Sequence, residues 1–288
     1  MSAEILDGKA LRSRILKGLT HQVASLKQKY QATPYMINIM VGQNSSSCAY
    51  AKSQERIAQD IGIKYECLRL PEDTSLSEII SHIHRLNDNG DVNGIMIHKP
   101  FPQNIDYQAV ANEIDMRKDL EGINVANIGR ILLGADQMIP CTPAAVMEHI
   151  HSIGKKLYGK EAVIIGASEI VGKPLALLLL REMATVTVCH IATSDVGHLK
   201  DHIKRAEILI VAVGKAGLVK GEDIKEGAIV IDVGINKVGD SIVGDVEYEK
   251  AFERAGYITP VPGGVGPVTV VMLMRNVIEA FKMQKGIG

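Results

Sequence analysis

Ala162-Val-Ile-Ile-Gly-Ala-Ser-Glu-Ile-Val-Gly-Lys-Pro174 decides the fold. Its first residues form an apolar run of buried-strand length, which breaks at Gly166 into a turn and then enters a helical pattern. Such a junction leaves backbone N–H groups and the positive helix end to hold a pyrophosphate, with Gly166, Ser168 and Gly172 at the turn. The spacing is not G-x-G-x-x-G, so taken alone the stretch reads equally as an ordinary strand-to-helix turn. Three later strand exits favour the nucleotide reading: Cys189-His-Ile, Val211-Ala-Val-Gly214 and Ile231-Asp-Val-Gly-Ile235.

Working outward, the pattern predicts a helix starting at Thr142-Pro-Ala, with Pro in the first turn. It then predicts a strand over 162–166, a helix over 171–181, a strand over 186–189, a helix over 195–205 and strands over 208–213 and 228–233. This is a doubly wound parallel layout. Upstream, Leu11, Ile15, Leu19, Val23 and Leu26 recur at helical spacing until Pro34. Strands over 35–41, 64–70 and 94–98 alternate there with helices over 45–61 and 76–87, and the third ends at Pro100-Phe-Pro102. Repeated strand and helix mean a second α/β unit. The loop Thr259-Pro-Val-Pro-Gly-Gly-Val-Gly-Pro267 precedes a last helix over 268–282 that packs back on the first unit. We therefore expect a two-domain α/β chain: 1–140, completed by 268–288, as an N-terminal catalytic domain, and 141–267 as a Rossmann-type domain.

At 288 residues and 46% hydrophobic content there is material for two cores. Trp is absent and only 3 Phe occur, so those cores are aliphatic, as in parallel sheets. Net charge is −1 with scattered basic residues, which argues against nucleic acid or an anionic membrane and for a small-molecule partner. No N-terminal leader pattern occurs and no apolar run approaches roughly 20 residues, so a cytoplasmic location is expected. Cys48, Cys67, Cys141 and Cys189 are widely spaced, with no His at ligand spacing; they read as reduced thiols, and no metal is expected.

The strings PCTP at 140–143, IVGKP at 170–174, ATVTVCH at 184–190, AGLVKG at 216–221, AIVIDVGIN at 228–236 and TPVPGGVGP at 259–267 closely resemble the methylene-tetrahydrofolate dehydrogenase/cyclohydrolase family. The resemblance extends over essentially the whole chain. It implies a homodimer of two-domain subunits, with folate in the cleft between domains and a nicotinamide cofactor on the C-terminal one.

The departures from the family pattern are informative. Where the family usually has Gly-Arg-Ser, this chain has Gly166-Ala167-Ser168, and where it commonly has His-Ser followed by Arg or Lys, this chain has His190-Ile191-Ala192. An NADP 2′-phosphate carries roughly −1.5 to −2 charges by analogy with other phosphomonoesters and wants cationic or hydroxyl donors. Ala167 and Ile191 offer none, so NAD is expected, with NADP as the alternative if Lys173 or another basic residue reaches the phosphate. Gly166, Ala167, Ser168, Ile191 and Ile235 are the expected cofactor residues, and Asp195 is a candidate for the ribose.

On the folate side the resemblance implies Tyr50 as retained, Gln54 where the family has Lys, His98 where it has Gln, and Glu121 where it has the second Asp of Asp-Val-Asp-Gly. Oxidising the methylene bridge needs orientation and a hydride acceptor, since the folate nitrogens stabilise the cation themselves. Hydrolysing the methenyl product needs a proton taken from water and one given to nitrogen. Gln54 does not titrate, and Lys52 lies about 200° around the helix from Tyr50. The cyclohydrolase step is therefore expected to be weak or lost. His98 is either a hydrogen-bonding replacement for Gln, a neutral spacer, or a proton carrier that keeps the enzyme bifunctional. Glu121 would hold the pterin edge, and Pro262 and Gly263 would approach the flat substrate, unless their loop is only a rigid connector.

Blander readings apply elsewhere. His21, His82, His84, His149, His151, His198 and His202 read mostly as surface or interface residues. Asp106, Asp115, Asp119 and Asp136 read as loop and cap residues, and Met272 and Met274 as core. The function expected is an NAD-linked methylene-tetrahydrofolate dehydrogenase. The alternatives are a bifunctional enzyme using His98, a folate- or nucleotide-binding protein without turnover, and a dehydrogenase acting on another small substrate.

Overall fold

The computed structural model describes residues 2–101, 105–135 and 137–287; Pro102 and Asp136 lie outside them. The chain opens with β1 (Glu4–Ile5) and α1 (Gly8–Tyr30), then alternates β2 (Tyr35–Val41), α2 (Ser45–Ile61), β3 (Lys64–Leu70), α3 (Leu76–Asp88) and β4 (Gly94–Ile97). Helices α4 (Tyr107–Asn112), α5 (Val125–Leu133) and α6 (Cys141–Ser152) lead to β5 (Glu161–Ile165), α7 (Gly172–Arg181) and β6 (Thr185–Cys189). After α8 (Ile191–Asp195), α9 (Leu199–Arg205), β7 (Ile208–Val211) and β8 (Ile229–Asp232) comes a small hairpin, β9 (Asn236–Val238) with β10 (Ser241–Val243). The chain finishes with α10 (Tyr248–Arg254), β11 (Tyr257–Ile258) and α11 (Val265–Gln284).

Two compact units result, one of Met1–Ser13 with Pro140–Thr269, the other of Arg14–Ile139 with Val270–Gly288. The first holds a six-stranded parallel sheet in the order β1-β11-β8-β7-β5-β6, a Rossmann-type layout. The second holds a three-stranded parallel sheet, β3-β2-β4. The expected span 1–140 is corrected at its start. β1 pairs with β11, Glu4 opposite Tyr257 and Ile5 opposite Ile258, so residues up to Ser13 group with the six-stranded unit.

Three further corrections have local causes. The helix expected over 195–205 is two short helices, because Gly197 adopts φ 83 between them. The last helix starts at Val265, which places Pro267 in its first turn, where a missing N–H costs nothing. His149 is fully buried rather than superficial, since α6 buries most of its surface from Pro143 to Ile150.

Parallel strands covered on both faces are apolar throughout, and β2, YMINIMV, is buried at all seven positions. One of them, Asn38, is polar and 0% exposed. Around β2 the core is aliphatic: Ile37, Ile39, Ile79, Ile83, Ile95 and Ile97. Each such side chain contributes about 1.5–3 kcal/mol when taken out of water.

Candidate active site

In the three-stranded unit, helical spacing puts Tyr50 and Gln54 of α2 one turn apart on the same face. Tyr50 is 36% exposed and Gln54 is 0% exposed. Lys52, between them, is exposed on another face. The Gln54 carboxamide points into β2 and β4: its Oε1 accepts from Asn38 Nδ2 at 2.7 Å and lies 3.2 Å from His98 Nε2, while its Nε2 faces Met96 Sδ at 3.3 Å. Asn38 Nδ2 also donates to the Tyr65 hydroxyl at 2.9 Å. Burial pushes the Tyr65 phenol up to about 12, so it stays protonated.

His98 follows β4 directly, and its backbone N–H donates to Ile39 O at 2.9 Å. Its ring meets Tyr50 edge to face, with centroids 5.6 Å apart. Burial lowers the imidazole to about 4, so the ring is neutral at neutral pH. The next peptide, Lys99–Pro100, is cis, and Lys99 O accepts from the Ser47 hydroxyl at the start of α2 at 2.9 Å.

Glu121 is brought to the same strand exit by a short segment beside β4. Ile95 N–H donates to Lys118 O at 2.7 Å, and Leu120 N–H donates back to Ile95 O at 3.2 Å. Lys118 anchors that segment by donating to the carbonyls of Leu86, Asn87 and Asn89. Asp119 fixes the following turn by accepting from the N–H groups of Gly122 and Asn124 and from Asn127 Nδ2. Tyr107 ties Glu121 to β4: its hydroxyl donates to Glu121 Oε2 and lies 3.4 Å from Ile97 O. Burial raises the Glu121 carboxyl to about 7; the Tyr107 hydrogen bond opposes this rise and the Asp119 charge adds to it. Tyr50, Gln54, His98 and Glu121 are thus gathered around the exits of β2 and β4.

In the six-stranded unit the expected cofactor residues lie at the C-terminal ends of parallel strands, where α/β sheets take ligands. Gly166 follows β5 at φ 118, and a Cβ there would stand 2.3 Å from Ala212 O, beyond the exit of β7. A Cβ on Gly172 would stand 1.9 Å from Gly166 O. The backbone therefore closes on itself at this turn as a phosphate cradle requires, which fits a dinucleotide. Ser168 Oγ accepts from Val171 N–H at 3.2 Å and so caps the turn. Ile191 and Ile235 are 77% and 68% exposed beyond β6 and β8. Lys173 lies 3.5 Å from Glu169 on the exposed side of α7.

Below this edge two buried acids staple the loops. Asp245 accepts from the N–H groups of Val213, Gly214 and Lys215 and from Asn236 Nδ2. Asp232 accepts from the N–H groups of Gly234, Asp245 and Val246; burial raises it to about 6 despite them, and Asp245 adds to the rise. The loop with Pro262 and Gly263 belongs to this unit and is tied to α1, with Gly8 N–H donating to Gly263 O at 2.9 Å.

Sequence reasoning missed Asn38, Tyr65 and Tyr107 around the folate-side residues, and Asp232 and Asp245 as loop staples. A polar residue inside the apolar run YMINIMV was the one available signal for Asn38. The cap readings of Asp106, which accepts from Gln108 N–H, and of Asp119 agree with the structure.

Comparison with known proteins matches residues 6–121 to the catalytic domain and residues 140–285 to the NAD(P)-binding domain described as tetrahydrofolate dehydrogenase/cyclohydrolase. The chain is 44% identical over 282 residues to a Bifunctional protein FolD from a Nitratiruptor species, covering 98% of this chain and 99% of that one. Among solved structures, the bifunctional methylenetetrahydrofolate dehydrogenase/cyclohydrolase from Campylobacter jejuni superposes with a TM-score of 0.94 at 40% identity, over 98% of this chain and 99% of that one. The Trypanosoma brucei enzyme, complexed with NADP cofactor and an inhibitor, gives 0.92 at 37% identity, over 98% of both chains.

Proposed function

We propose that this chain, which belongs to the tetrahydrofolate dehydrogenase/cyclohydrolase family, oxidises methylene-tetrahydrofolate to methenyl-tetrahydrofolate and hydrolyses the product weakly or not at all. The observation that carries this reading is the fully buried Gln54 carboxamide, locked between Asn38 and His98. A carboxamide orients but does not exchange protons near neutral pH, and exposed Lys52 does not replace it.

The residues divide the work as follows. Tyr50, partly exposed at the edge of the His98 ring, orients the folate. Gln54, itself buried, holds the neutral His98 ring, and His98 hydrogen-bonds the folate. Glu121, balanced near neutrality, ionises as it accepts from the amino-pyrimidine edge of the pterin, and Tyr107 holds it there. A nicotinamide dinucleotide bound at Gly166, Ala167, Ser168, Ile191 and Ile235 would supply the hydride acceptor. Ala167 and Ile191 bring no charge to a 2′-phosphate, which supports NAD over NADP. Pro262 and Gly263 are proposed to contact the substrate, and the assembly to be a homodimer acting in the cytoplasm. No helix among the described residues is long and apolar enough to cross a membrane.

A second reading has specific support: relatives that align along nearly the whole chain are called bifunctional. On that reading hydrolysis persists, with His98 assisting proton transfer. The names of the relatives favour it, whereas the replaced side chain at position 54 favours the first.

An assay with methylene-tetrahydrofolate that follows reduced nicotinamide and methenyl product separately, with NAD and NADP in parallel, tests both. Methenyl product accumulating in step with reduced NAD supports the first reading. Reduced cofactor without methenyl build-up supports the second, and no turnover with tight folate binding points to a binding protein.

A further inference from the structure

Asn38 has no place in the reaction outlined above, yet it is a fully buried polar residue in the centre of the smaller sheet. Both hydrogens of its amide are used, one on Gln54 Oε1 at 2.7 Å and one on the Tyr65 hydroxyl at 2.9 Å. Its own Oδ1 is buried and finds no partner among the described residues. A buried acceptor left unsatisfied is costly, so what the Nδ2 side achieves must be specific.

That orientation decides which nitrogen of His98 carries the proton. Gln54 turns its Nε2 toward Met96 Sδ at 3.3 Å, and a thioether only accepts. Its Oε1 is thereby left to Asn38 and to His98 Nε2 at 3.2 Å. An oxygen at that distance needs a hydrogen from the ring. The neutral imidazole has one N–H, so if Nε2 holds it, Nδ1 has the lone pair. If both amides turned over, Gln54 would donate to the ring and the tautomer would reverse, at the cost of setting Gln54 Oε1 against the Met96 sulfur.

We infer that Asn38 is a positioning residue, which pins the Gln54 carboxamide so that His98 keeps its proton on Nε2 and offers Nδ1 as its accepting atom. The part this plays in turnover rests on the folate reading above; the proton's position does not. Burial of the ring, which keeps it neutral across the working pH range, is consistent with a fixed tautomer.

Long-range proton–nitrogen NMR spectra of the full-length, nitrogen-15-labelled protein at neutral pH read the tautomer directly. The expected result is a His98 ring with Nε2 protonated and Nδ1 bare; a proton on Nδ1 overturns the inference. Asn38→Asp replaces a donor by an acceptor, so Gln54 should turn its Nε2 inward and the His98 proton should move to Nδ1. Because a buried carboxylate can prevent folding, Asn38→Leu carries the same test: it keeps the branched outline, though it is bulkier, and neither donates nor accepts. It should release the carboxamide, so that the ring averages between tautomers. An Nε2-protonated ring unchanged in the leucine variant overturns the role of Asn38.

In turnover, kcat for methylene-tetrahydrofolate should fall about tenfold in the leucine variant with KM nearly constant, as expected for lost orientation. An unchanged kcat with a shifted proton removes Asn38 from the reaction. A wild-type protein that turns over no folate defeats the folate reading, while the spectra still decide what Asn38 does.

Discussion

The two units bury polar groups in different ways. In the six-stranded unit Asp245 sits among three backbone N–H groups and one amide, and Gly234 and Gly244 approach so closely that a Cβ on either would stand about 2 Å from a carboxylate oxygen of Asp245 or Asp232. In the three-stranded unit the buried groups are side chains facing side chains: Asn38, Gln54, His98 and Tyr65, with one oxygen left over. Backbone donors are the same whatever residue supplies them, so the first arrangement tolerates drift provided its glycines and acids remain. The second depends on which atom of each side chain donates, so single substitutions rewrite its chemistry. Both sides carry replacements, but Ala167 and Ile191 lie outside the acid staples of the first unit, whereas Gln54 and His98 lie inside the side-chain network of the second.

The sharpest way to break this contrast is Asp245→Ala, which strands four donors at once. Urea denaturation should show a loss of about 3–5 kcal/mol; a loss under about 1 kcal/mol would mean that water replaces the carboxylate and the staple is ordinary. Next in size, installing an amine with Gln54→Lys together with His98→Gln should raise methenyl hydrolysis roughly a hundredfold, or about 2.7 kcal/mol of barrier. The single change Gln54→Lys should do less, because the new ammonium meets the donors of Asn38 and His98.

Glu121→Gln probes the titration directly. A carboxyl raised to about 7 binds its proton more tightly when folded, so its contribution is complete below the unfolded value and is lost as pH rises through 7. The Gln variant should therefore be about 3 kcal/mol more stable than wild type at pH 8, with the gap closing below pH 4.5, followed by thermal melts across that range. Smallest of all, Lys52→Ala should leave stability within about 0.5 kcal/mol and kcat unchanged, since its side chain is exposed on the face away from Gln54.

Much of the fold was legible because its signals are local. β2, α2 and β3 have the bounds expected from periodicity and Pro34. β1 was invisible, since two residues carry no period and their partner lies some 250 positions away. The split between α8 and α9 was misread because apolar spacing continues through Gly197 and only its φ of 83 breaks the helix. Tyr50, Gln54, His98 and Glu121 were named through motifs that resemble the family's, and the fold brings them near one another. Asn38, Tyr65 and Tyr107 were not named, because their meaning lies in contacts across strands. His149 was read as a surface or interface residue because its type is usually exposed, while the folded helix is covered nearly all round.

The route of the chain has a consequence for its synthesis. An outermost strand of the larger sheet is made long before its partner near residue 257, while Asn276 and Gln284 on α11 supply hydrogen bonds to Leu120, Ile139 and Asn93 in the three-stranded unit. A ribosome that has made the first 250 residues therefore holds two unfinished sheets: one has an unpaired terminal strand and the other lacks the helix that closes its core. Closure waits for β11 and α11 to leave the exit tunnel, so a nascent chain stalled before they emerge exposes both cores to chaperones and proteases.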